Sequence, residues 1–225
     1  MRLSIVVPVL DESSTLEQLL EHLEGLAGVH EVIVVDGGSK DGTPELALGR
    51  ARLLASAPGR GQQMNAGAAE AAGDVLLFLH ADTRLPPQAS GAIQQALEDP
   101  TVVGGMFSKV AFTEHPLLTV SDQLVEWVQW WRPMLLGDRA IFVRRQSFER
   151  VGGYRRLEIM EDPDLGDRLA KVGRLTVLEA RVTTSARRFL KAGVTRTLWL
   201  MFCLCALYQL GLPTGWLARY YRANR

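Results

Sequence analysis

Residues 3–36 read LSIVVPVLDESSTLEQLLEHLEGLAGVHEVIVVD, and this stretch decides the fold. The run LSIVVPV at 3–9 is apolar except for Ser4 and rich in β-branched residues, which is typical of a strand buried on both faces of a parallel sheet. Leucines then recur at helical spacing over residues 15–26, where the sequence at 14–17 forms a capping box. The run EVIVVD at 31–36 predicts a second strand. The sequence therefore predicts a β-α-β unit whose helix covers the sheet.

The same alternation of strand and helix patterns continues along the chain. It predicts an α/β fold with a Rossmann-like, mostly parallel central sheet, flanked by helices and joined by right-handed crossovers. No internal repeat interrupts the pattern, and 225 residues suit one main α/β domain. The further predicted elements are a helix from Pro44, a strand at 52–57, a helix at 62–72, a strand at 74–79, a helix at 87–98, an extended stretch at 102–112, helices at 117–131 and 164–172, a strand at 140–145 and a short helix in QSFERVGGY.

The overall composition argues against nucleic acid as a partner. The formal net charge is zero and the isoelectric point is about 6.9, so no global positive field gathers phosphate backbones. The two cysteines lie in an apolar run and indicate neither a disulfide framework nor a zinc site. The N-terminus enters directly into the first apolar run without a cleavage site. We therefore expect a cytoplasmic protein.

The C-terminal part has a different character. Residues 197–212, TLWLMFCLCALYQLGL, are apolar nearly all round, but they are fewer than the ~20 residues that a membrane span needs. From Arg181 to Arg225 there are eight basic residues and no acidic one. We divide the chain into a main domain, 1–190, and a C-terminal helical extension, 191–225. The extension suits packing on the core, a homodimer contact, or peripheral binding to the inner face of the cell membrane.

Polar and glycine-rich residues follow the first two predicted strands, at 8–12 (PVLDE) and at 36–43 (DGGSKDGT). In parallel sheets, ligands bind beyond the carboxyl ends of the strands, so these two segments are expected to meet. Glycine lets the backbone approach a ligand, and carboxylates accept hydrogen bonds from ribose hydroxyls or base N–H groups. The pattern favours a nucleoside pocket, although a turn followed by a helix cap gives the same residues.

A third polar segment, FLHAD at 78–82, ends another buried strand. It delivers Asp82 to the same edge of the sheet, where its hard oxygen atoms suit Mg²⁺ or Mn²⁺ bridged to a diphosphate. The alternative is that Asp82 caps the following turn and that His80 is an ordinary satisfied polar residue.

Acidic residues open a later helix in the segment EDPDL at 161–165. Carboxylates at that position favour the positive end of the helix dipole and need have no other role. A carboxylate that faces the crevice would instead accept a proton from an attacking hydroxyl group as general base.

The three segments, in this order and at this spacing, resemble the family-2 glycosyltransferases of the GT-A fold over essentially the whole chain. The wording VDGGSKDGT, FLHADT and TSARRF is similar to the subgroup described as radical-SAM/selenodomain-associated or arsenosugar-biosynthesis transferases. The resemblance implies an inverting displacement: the acceptor attacks the anomeric carbon of a nucleotide-sugar donor, and a nucleoside diphosphate leaves.

The resemblance also implies roles for individual residues. Asp162 would be the catalytic base, with Glu161 beside it, and Asp82 would hold Mn²⁺ or Mg²⁺ against the diphosphate. Asp138 and Arg139 would contact the acceptor. The residues implied for nucleotide-sugar binding are Pro8, Leu10, Glu12, Asp36, Ser39, Arg60, Gln63, Ala81, Asp82 and Arg187.

Two positions depart from the common family pattern. Gly37 stands where the family usually has a second aspartate that contacts the base, and His80 replaces the first aspartate of the D-x-D triplet. Both departures fall on the nucleoside side, so a UDP-sugar is only the default expectation for the donor.

Two other classes of function remain open. A sugar-phosphate nucleotidyltransferase would need a glycine-rich basic loop after the first strand, where this chain has Leu10 to Ser13. A non-catalytic nucleotide-binding or membrane-scaffold protein of the same fold would not need both Asp82 and Asp162. Trp127, Trp130 and Trp131 form a cluster that suits either a helix core or a platform for stacking a sugar. An anionic membrane would also account for Arg187.

Overall fold

The computed structural model describes residues 1–111, 117, 118, 120, 121, 123, 134–186, 190 and 192–224. Its core is a sheet of eight strands in the order β3-β2-β1-β4-β7-β6-β8-β5. The strands are β1 (Leu3–Val9), β2 (Val29–Asp36), β3 (Arg52–Ala55), β4 (Val75–Phe78), β5 (Thr83–Arg84), β6 (Val102–Ala111), β7 (Ile141–Arg144) and β8 (Arg174–Thr184).

The sheet is parallel over its first half and mixed over the rest. Strands β3, β2, β1 and β4 all run in one direction, as the repeated β-α-β pattern predicts. Strand β7 lies antiparallel between β4 and β6, and β5 pairs antiparallel with the end of β8. Strands β6 and β8 are again parallel. The predicted α/β architecture with a mostly parallel central sheet is confirmed.

Helices cover both faces of the sheet. Their bounds are α1 (Ser13–Glu24), α2 (Thr43–Ala47), α3 (Arg60–Glu70), α4 (Ala89–Ala96), α5 (Arg145–Arg150), α6 (Glu161–Leu169), α7 (Val194–Gln209) and α8 (Thr214–Asn224), with a 3-10 turn at Gly137–Arg139. Helices α1, α2 and α4 bury their apolar residues in one cluster under the sheet. Helices α3, α5 and α6 do so on the opposite face.

Helix α1 covers one face of β1 with its row of leucines. Leu16, Leu19, Leu20 and Leu23 are all buried, and they pack on the side chains of β1 that point to the same face. Full burial of one such leucine contributes about 1.5–3 kcal/mol relative to exposure. The other face of α1 carries polar residues, so the helix fixes which face of β1 is covered.

The start of α1 differs from the sequence-based prediction. The helix begins at Ser13 after Glu12, and the predicted capping box at 14–17 does not provide its N-cap. Instead, the carboxylate of Asp41 accepts a hydrogen bond of 3.0 Å from the backbone N–H of Ser13. The hydroxyl oxygen of Thr43 accepts one of 2.9 Å from the N–H of Glu12. A neighbouring loop therefore satisfies the free N–H groups that a local cap was expected to satisfy.

Other boundaries moved by a few residues, and some elements had not been predicted. Helix α6 begins at Glu161 and not at residue 164, because Pro163 falls in its first turn, where a missing N–H costs nothing. Strand β8 and helix α8 were missed. The predicted helix at 117–131, with Trp127, Trp130 and Trp131, lies mostly outside the described residues.

The C-terminal helices α7 and α8 pack on each other around Leu200, Leu204 and Leu217. Ile159 and Met160 of the main domain join this small cluster. Among the helices in the described part of the chain, none is long and apolar enough to cross a membrane. The boundary between a domain at 1–190 and an extension at 191–225 stays a prediction.

Candidate active site

The loops after β1 and β2 lock together at the carboxyl edge of the sheet. The carboxylate of Asp36 accepts hydrogen bonds from the backbone N–H of Gly38 and from both the N–H and the hydroxyl of Ser39. The Ser39 hydroxyl oxygen accepts a bond of 2.9 Å from the N–H of Asp11. Asp11 in turn accepts one of 2.8 Å from the N–H of Lys40. The two segments predicted to form a nucleoside pocket thus form one rigid unit.

Gln63 supports this unit from inside the molecule. It lies on α3, is 3% exposed, and its side-chain amide donates to the carbonyl oxygens of Val9 and Val35 at 2.8 and 2.9 Å. Gly37 lies directly above, because a Cβ atom at that position would be 3.1 Å from the Gln63 amide nitrogen. Gly37, which departs from the family pattern, therefore lies against the side-chain amide of Gln63, at the ends of β1 and β2.

The turn after β4 carries His80, Ala81 and Asp82. The backbone N–H of Thr83 closes the turn by donating to the carbonyl of His80 at 3.1 Å, and Ala81 is buried. The N–H of Ser185, just beyond β8, donates to the Asp82 carbonyl at 3.1 Å. Asp82 therefore lies directly before β5 and beside the end of β8, and its side chain is partly exposed.

Gly137 lies between this turn and the acidic start of α6. A Cβ atom at Gly137 would lie 2.5 Å from Oδ2 of Asp162 and 2.8 Å from Nε2 of His80. Both side chains therefore reach the same point in space, although they are 82 positions apart in the chain. The structure brings the predicted base beside the segment that ends in the predicted metal ligand.

Asp162 is buried in this position. It is 7% exposed, and its Oδ1 atom has no hydrogen-bond partner among the described residues. Burial and the neighbouring carboxylate of Glu161 raise the pKa of Asp162 to about 7, although Arg60 opposes the rise. A carboxyl group with a pKa near neutrality and a free oxygen atom has the properties of a general base.

Arg60 and Glu161 form an ion pair of 3.0 Å beside Asp162. Glu161 is 3% exposed, whereas the Arg60 side chain is 44% exposed and extends from the start of α3. Burial lowers the pKa of Arg60, but the carboxylates of Glu161 and Asp162 outweigh it, so the net direction is upward. Arg60 therefore carries its positive charge between the pair of carboxylates and solvent.

Tyr154 lies on the other side of Asp162, and sequence reasoning missed it. Burial raises the pKa of Tyr154 well above its ordinary value, and Asp162 and Glu161 raise it further, so the phenol keeps its proton. Its hydroxyl group is buried and makes no hydrogen bond of ordinary geometry in the described part of the chain. Asn65 holds the Tyr154 backbone by two hydrogen bonds of 2.8 Å.

The turn at Gly137–Arg139 adds further charges. Lys109 donates to Asp138 at 2.5 Å; burial raises the pKa of Asp138, but Lys109 outweighs burial and the pKa is about 2. Arg139 is 1% exposed, and none of its guanidinium nitrogens has a hydrogen-bond partner among the described residues. Asp138 is a charged neighbour of this guanidinium group, since Arg139 helps Lys109 to lower the pKa of Asp138.

The family model described as glycosyl transferase family 2 matches residues 4–154, which is well over half of the chain. The chain belongs to glycosyl transferase family 2. Its match ends at Tyr154, so Asp162 lies outside the matched segment.

A curated relative and two solved structures add detail. The undecaprenyl-phosphate 4-deoxy-4-formamido-L-arabinose transferase of Aeromonas hydrophila is 32% identical over 117 residues, which cover 46% of this chain and 36% of the relative. The Pyrobaculum calidifontis mannosyltransferase PcManGT, solved with GDP-Man and Mn²⁺, is 19% identical with a TM-score of 0.70, covering 90% of this chain and 62% of that one. Glucosyl-3-phosphoglycerate synthase from Mycobacterium tuberculosis, solved with Mn²⁺, UDP and glucosyl-3-phosphoglycerate, is 19% identical with a TM-score of 0.60, covering 80% and 70%.

These likenesses confirm the GT-A fold of this family-2 glycosyltransferase. The matched segment spans only about a third of the curated relative, so that relative's donor and acceptor describe the relative alone. The solved neighbours carry nucleotide sugars or nucleotides together with Mn²⁺. Membership in glycosyl transferase family 2 therefore supports a glycosyltransferase activity.

The residues after β4 fit a divalent cation that binds together with its substrate. Mg²⁺ and Mn²⁺ prefer oxygen ligands and are often held by one or two carboxylates plus substrate phosphates. Asp82 offers one such carboxylate at the sheet edge. In the described part of the chain, no three or more acidic, histidine or cysteine side chains are grouped so that they could hold a metal ion by themselves.

Few sequence patterns indicate the site residues that were not predicted. Tyr154 follows a glycine pair in VGGY, and nothing in that pattern indicates that its hydroxyl reaches Asp162. Lys109 lies on β6 and meets Asp138 only because the 3-10 turn packs beside that strand. Arg187, predicted to contact the diphosphate, lies outside the described residues and stays a prediction.

Replacing Gly137 by alanine is expected to lower kcat by about 10²-fold, because displacement of a catalytic group by ~1 Å has effects of that size. The new Cβ would sit 2.5 Å from Asp162 Oδ2 and 2.8 Å from His80 Nε2, so both side-chain ends must move. The matched control is Gly91→Ala, where a Cβ meets nothing within 4 Å. Steady-state kinetics of both variants test this, and equal rates would show that Gly137 lies away from the reacting groups.

Proposed function

We propose that the chain is an inverting glycosyltransferase that moves a sugar from a nucleoside diphosphate sugar to a hydroxyl-bearing acceptor. The observation that carries the proposal is the buried Asp162, which lies beside the turn that holds Asp82. Its Oδ1 atom has no hydrogen-bond partner among the described residues, and its pKa is raised to about 7. Membership in glycosyl transferase family 2 and the nucleotide-bound neighbours support the reaction class.

In the proposed reaction, the acceptor hydroxyl oxygen attacks the anomeric carbon. The bond between that carbon and the diphosphate oxygen breaks with inversion, and its electron pair leaves with the nucleoside diphosphate. Asp162 takes the hydroxyl proton as the new bond forms, since its carboxylate is buried and has an oxygen atom to spare. Glu161 keeps Asp162 basic by charge repulsion, and the pairing of Glu161 with Arg60 keeps Glu161 in place.

On the donor side, the proposed contacts follow the locked loops. Pro8, Leu10 and Glu12 on the first loop would border the nucleoside, and Asp36 with Ser39 shapes the second loop from within. When bound, Mn²⁺ or Mg²⁺ would neutralise negative charge on the departing diphosphate, with Asp82 as its protein ligand. The leading candidate for the donor is a UDP-sugar, with GDP-, ADP- and CDP-sugars as the alternatives.

On the acceptor side, we place Asp138 and Arg139 close to the incoming group. Asp138 is held by Lys109, whereas the guanidinium group of Arg139 has no hydrogen-bond partner among the described residues. A phosphate or carboxylate on the acceptor would accept hydrogen bonds from that group. The acceptor would be a lipid or a small molecule, and the curated relatives named for undecaprenyl phosphate support the lipid.

The proposal is tested by a panel of UDP-, GDP-, ADP- and CDP-sugars with Mn²⁺. A donor that binds the folded state raises the melting temperature by mass action, so the correct nucleotide stands out in a thermal shift assay. The same donor should then release nucleoside diphosphate, by slow hydrolysis without acceptor and faster once the acceptor is added. Stabilisation without any release would identify a non-catalytic nucleotide-binding protein and contradict the proposal.

The narrower resemblance to radical-SAM/selenodomain-associated or arsenosugar-biosynthesis transferases stays a prediction. Binding of the diphosphate by Arg187 also stays a prediction. A cytoplasmic location with peripheral contact to the inner face of the membrane is the setting that we propose for the enzyme.

A further inference from the structure

The hairpin formed by α7 and α8 exposes large apolar side chains to solvent. Trp199 is 67%, Phe202 61% and Leu210 77% exposed, and Trp216 on α8 is 42% exposed. The rings of Trp199 and Phe202 stack on each other with centroids 5.9 Å apart. Large apolar groups clustered on a surface mark a site of contact with a partner or a membrane.

The large exposed apolar side chains of α7 and of its C-cap residue lie on one side of the helix. Trp199, Phe202 and Leu210 are separated by three and eight positions, which return to the same side of a helix. The opposite face buries Leu200 and Leu204 against Leu217 of α8. The hairpin therefore has one face packed within the chain and one apolar face that the described residues leave exposed.

The charge of α7 and α8 indicates what kind of partner binds the exposed apolar face. Helices α7 and α8 contain three arginines, Arg196, Arg219 and Arg222, and no acidic residue. Arg219 is exposed on α8, and Arg222 pairs with Glu158 at 2.7 Å. A second copy of this chain would bring one cationic surface against another, which is unfavourable. An anionic lipid surface has the complementary charge.

The dimensions of the hairpin determine how it would meet a bilayer. Helix α7 has 16 residues, so it is about 24 Å long, which is shorter than the ~30 Å hydrocarbon core. Tryptophan and tyrosine rings prefer the boundary between headgroups and acyl chains. Trp199, Trp216 and Tyr220, whose ring stacks on Trp216, are suited to that boundary. The hairpin is thus built to lie in the plane of the membrane surface.

We propose that α7 and α8 dock this enzyme on an anionic membrane surface, with Trp199, Phe202 and Leu210 inserted among the lipids. Ile159 and Met160 pack against the hairpin, and they directly precede Glu161 and Asp162. Docking would therefore place the acidic start of α6 close to the bilayer. This inference goes beyond sugar transfer and does not depend on it.

Flotation with vesicles tests the docking. The full chain is expected to float with vesicles of phosphatidylcholine and phosphatidylglycerol and much less with phosphatidylcholine alone. The double variant Trp199→Ser/Phe202→Ser should reduce the bound fraction by at least about tenfold, because two inserted aromatic groups are lost. Gln209→Ser, an exposed polar change on the same helix, is the matched control and should float like the unchanged chain.

A second variant separates charge from apolar insertion. Arg219→Glu should also weaken flotation with the anionic vesicles, and added salt should weaken it further through screening. Unchanged melting temperatures show that the variants remain folded. If the full chain fails to float with anionic vesicles, the proposal is overturned. It is equally overturned if light scattering finds a dimer that the double variant disperses, since the face would then bind a second copy.

The docking can fail while the proposed sugar transfer holds. The double variant should keep the rate of nucleoside diphosphate release with a soluble donor, because both substituted side chains are exposed to solvent. Loss of flotation with retained release supports the docking. Loss of release together with loss of flotation overturns it, since the two residues would then serve the site itself.

Discussion

Replacing Asp162 by asparagine is expected to lower kcat for sugar transfer by about 10²–10⁴-fold, which is the usual contribution of a general base. The Kd for the donor nucleotide should change little, because the base acts on the acceptor proton in the transition state. Asparagine keeps the size of the buried side chain and removes its ability to accept that proton. Single-turnover kinetics give the rate, and calorimetry gives the affinity.

The matched control is Asp167→Asn on the same helix. Asp167 is exposed and accepts a hydrogen bond of 2.9 Å from the Tyr208 hydroxyl, so asparagine can keep that contact. Its kcat should remain that of the unchanged enzyme. Ordinary turnover in the Asp162 variant would remove Asp162 from the role of base.

The raised pKa of Asp162 also predicts a pH signature. In the unfolded chain this carboxyl group ionises near pH 4, whereas the folded protein holds the proton up to about pH 7. The stability of the folded state should therefore fall as the pH rises between these values, by as much as ~4 kcal/mol. The Asn variant should lack this loss in thermal melts, and the kcat of the unchanged enzyme should rise through about pH 7 as the base ionises.

Replacing Asp82 by alanine is expected to abolish the gain in nucleotide affinity that Mn²⁺ provides, a loss of at least about tenfold in Kd. The reason is that Asp82 offers the carboxylate through which the cation and the diphosphate are held together. Calorimetric titration of the nucleotide with and without Mn²⁺ measures the gain directly. Because the Asp82 side chain is partly exposed, its removal should cost little stability.

The matched control for Asp82 is Asp74→Ala. Asp74 precedes β4 at its amino end and forms an exposed pair of 3.0 Å with Arg2, whereas Asp82 follows the carboxyl end of the same strand. The Asp74 variant should keep the full effect of Mn²⁺. A metal-dependent gain that survives in the Asp82 variant would place the cation elsewhere.

The sequence predicted the parallel half of the fold because that half obeys local rules. Strands β1, β2 and β4 are short apolar runs separated by helices of clear periodicity, and parallel pairing follows from the connections. The direction of β7 could not be predicted, because IFVR would be equally apolar in either orientation. Strand β8 was missed because its burial is mixed and its sequence contains several polar residues.

The candidate site was predicted where it follows strand ends and missed where it depends on packing. Asp36 ends β2, Asp82 lies in the turn after β4 and Asp162 lies in the first turn of α6, so their positions can be found from pattern alone. Tyr154 and Lys109 reach the site only through tertiary contacts. The first turn of α1 shows the same limit, since Asp41 from another loop replaces the local cap. Sequence patterns thus locate the edge of the sheet, whereas its detailed polar contacts need the fold.

The proposed reaction requires that Asp82 and Asp162 face one cleft. The most direct test is an anomalous-difference map from crystals grown with Mn²⁺ and the nucleotide sugar that the donor panel selects. We expect an Mn²⁺ peak about 2.1 Å from a carboxylate oxygen of Asp82, with the cation also bound to the diphosphate. Asp162 should face the anomeric carbon from the opposite side of the sugar. A cation bound away from Asp82, or an Asp162 carboxylate turned away from the sugar, would contradict the proposed reaction.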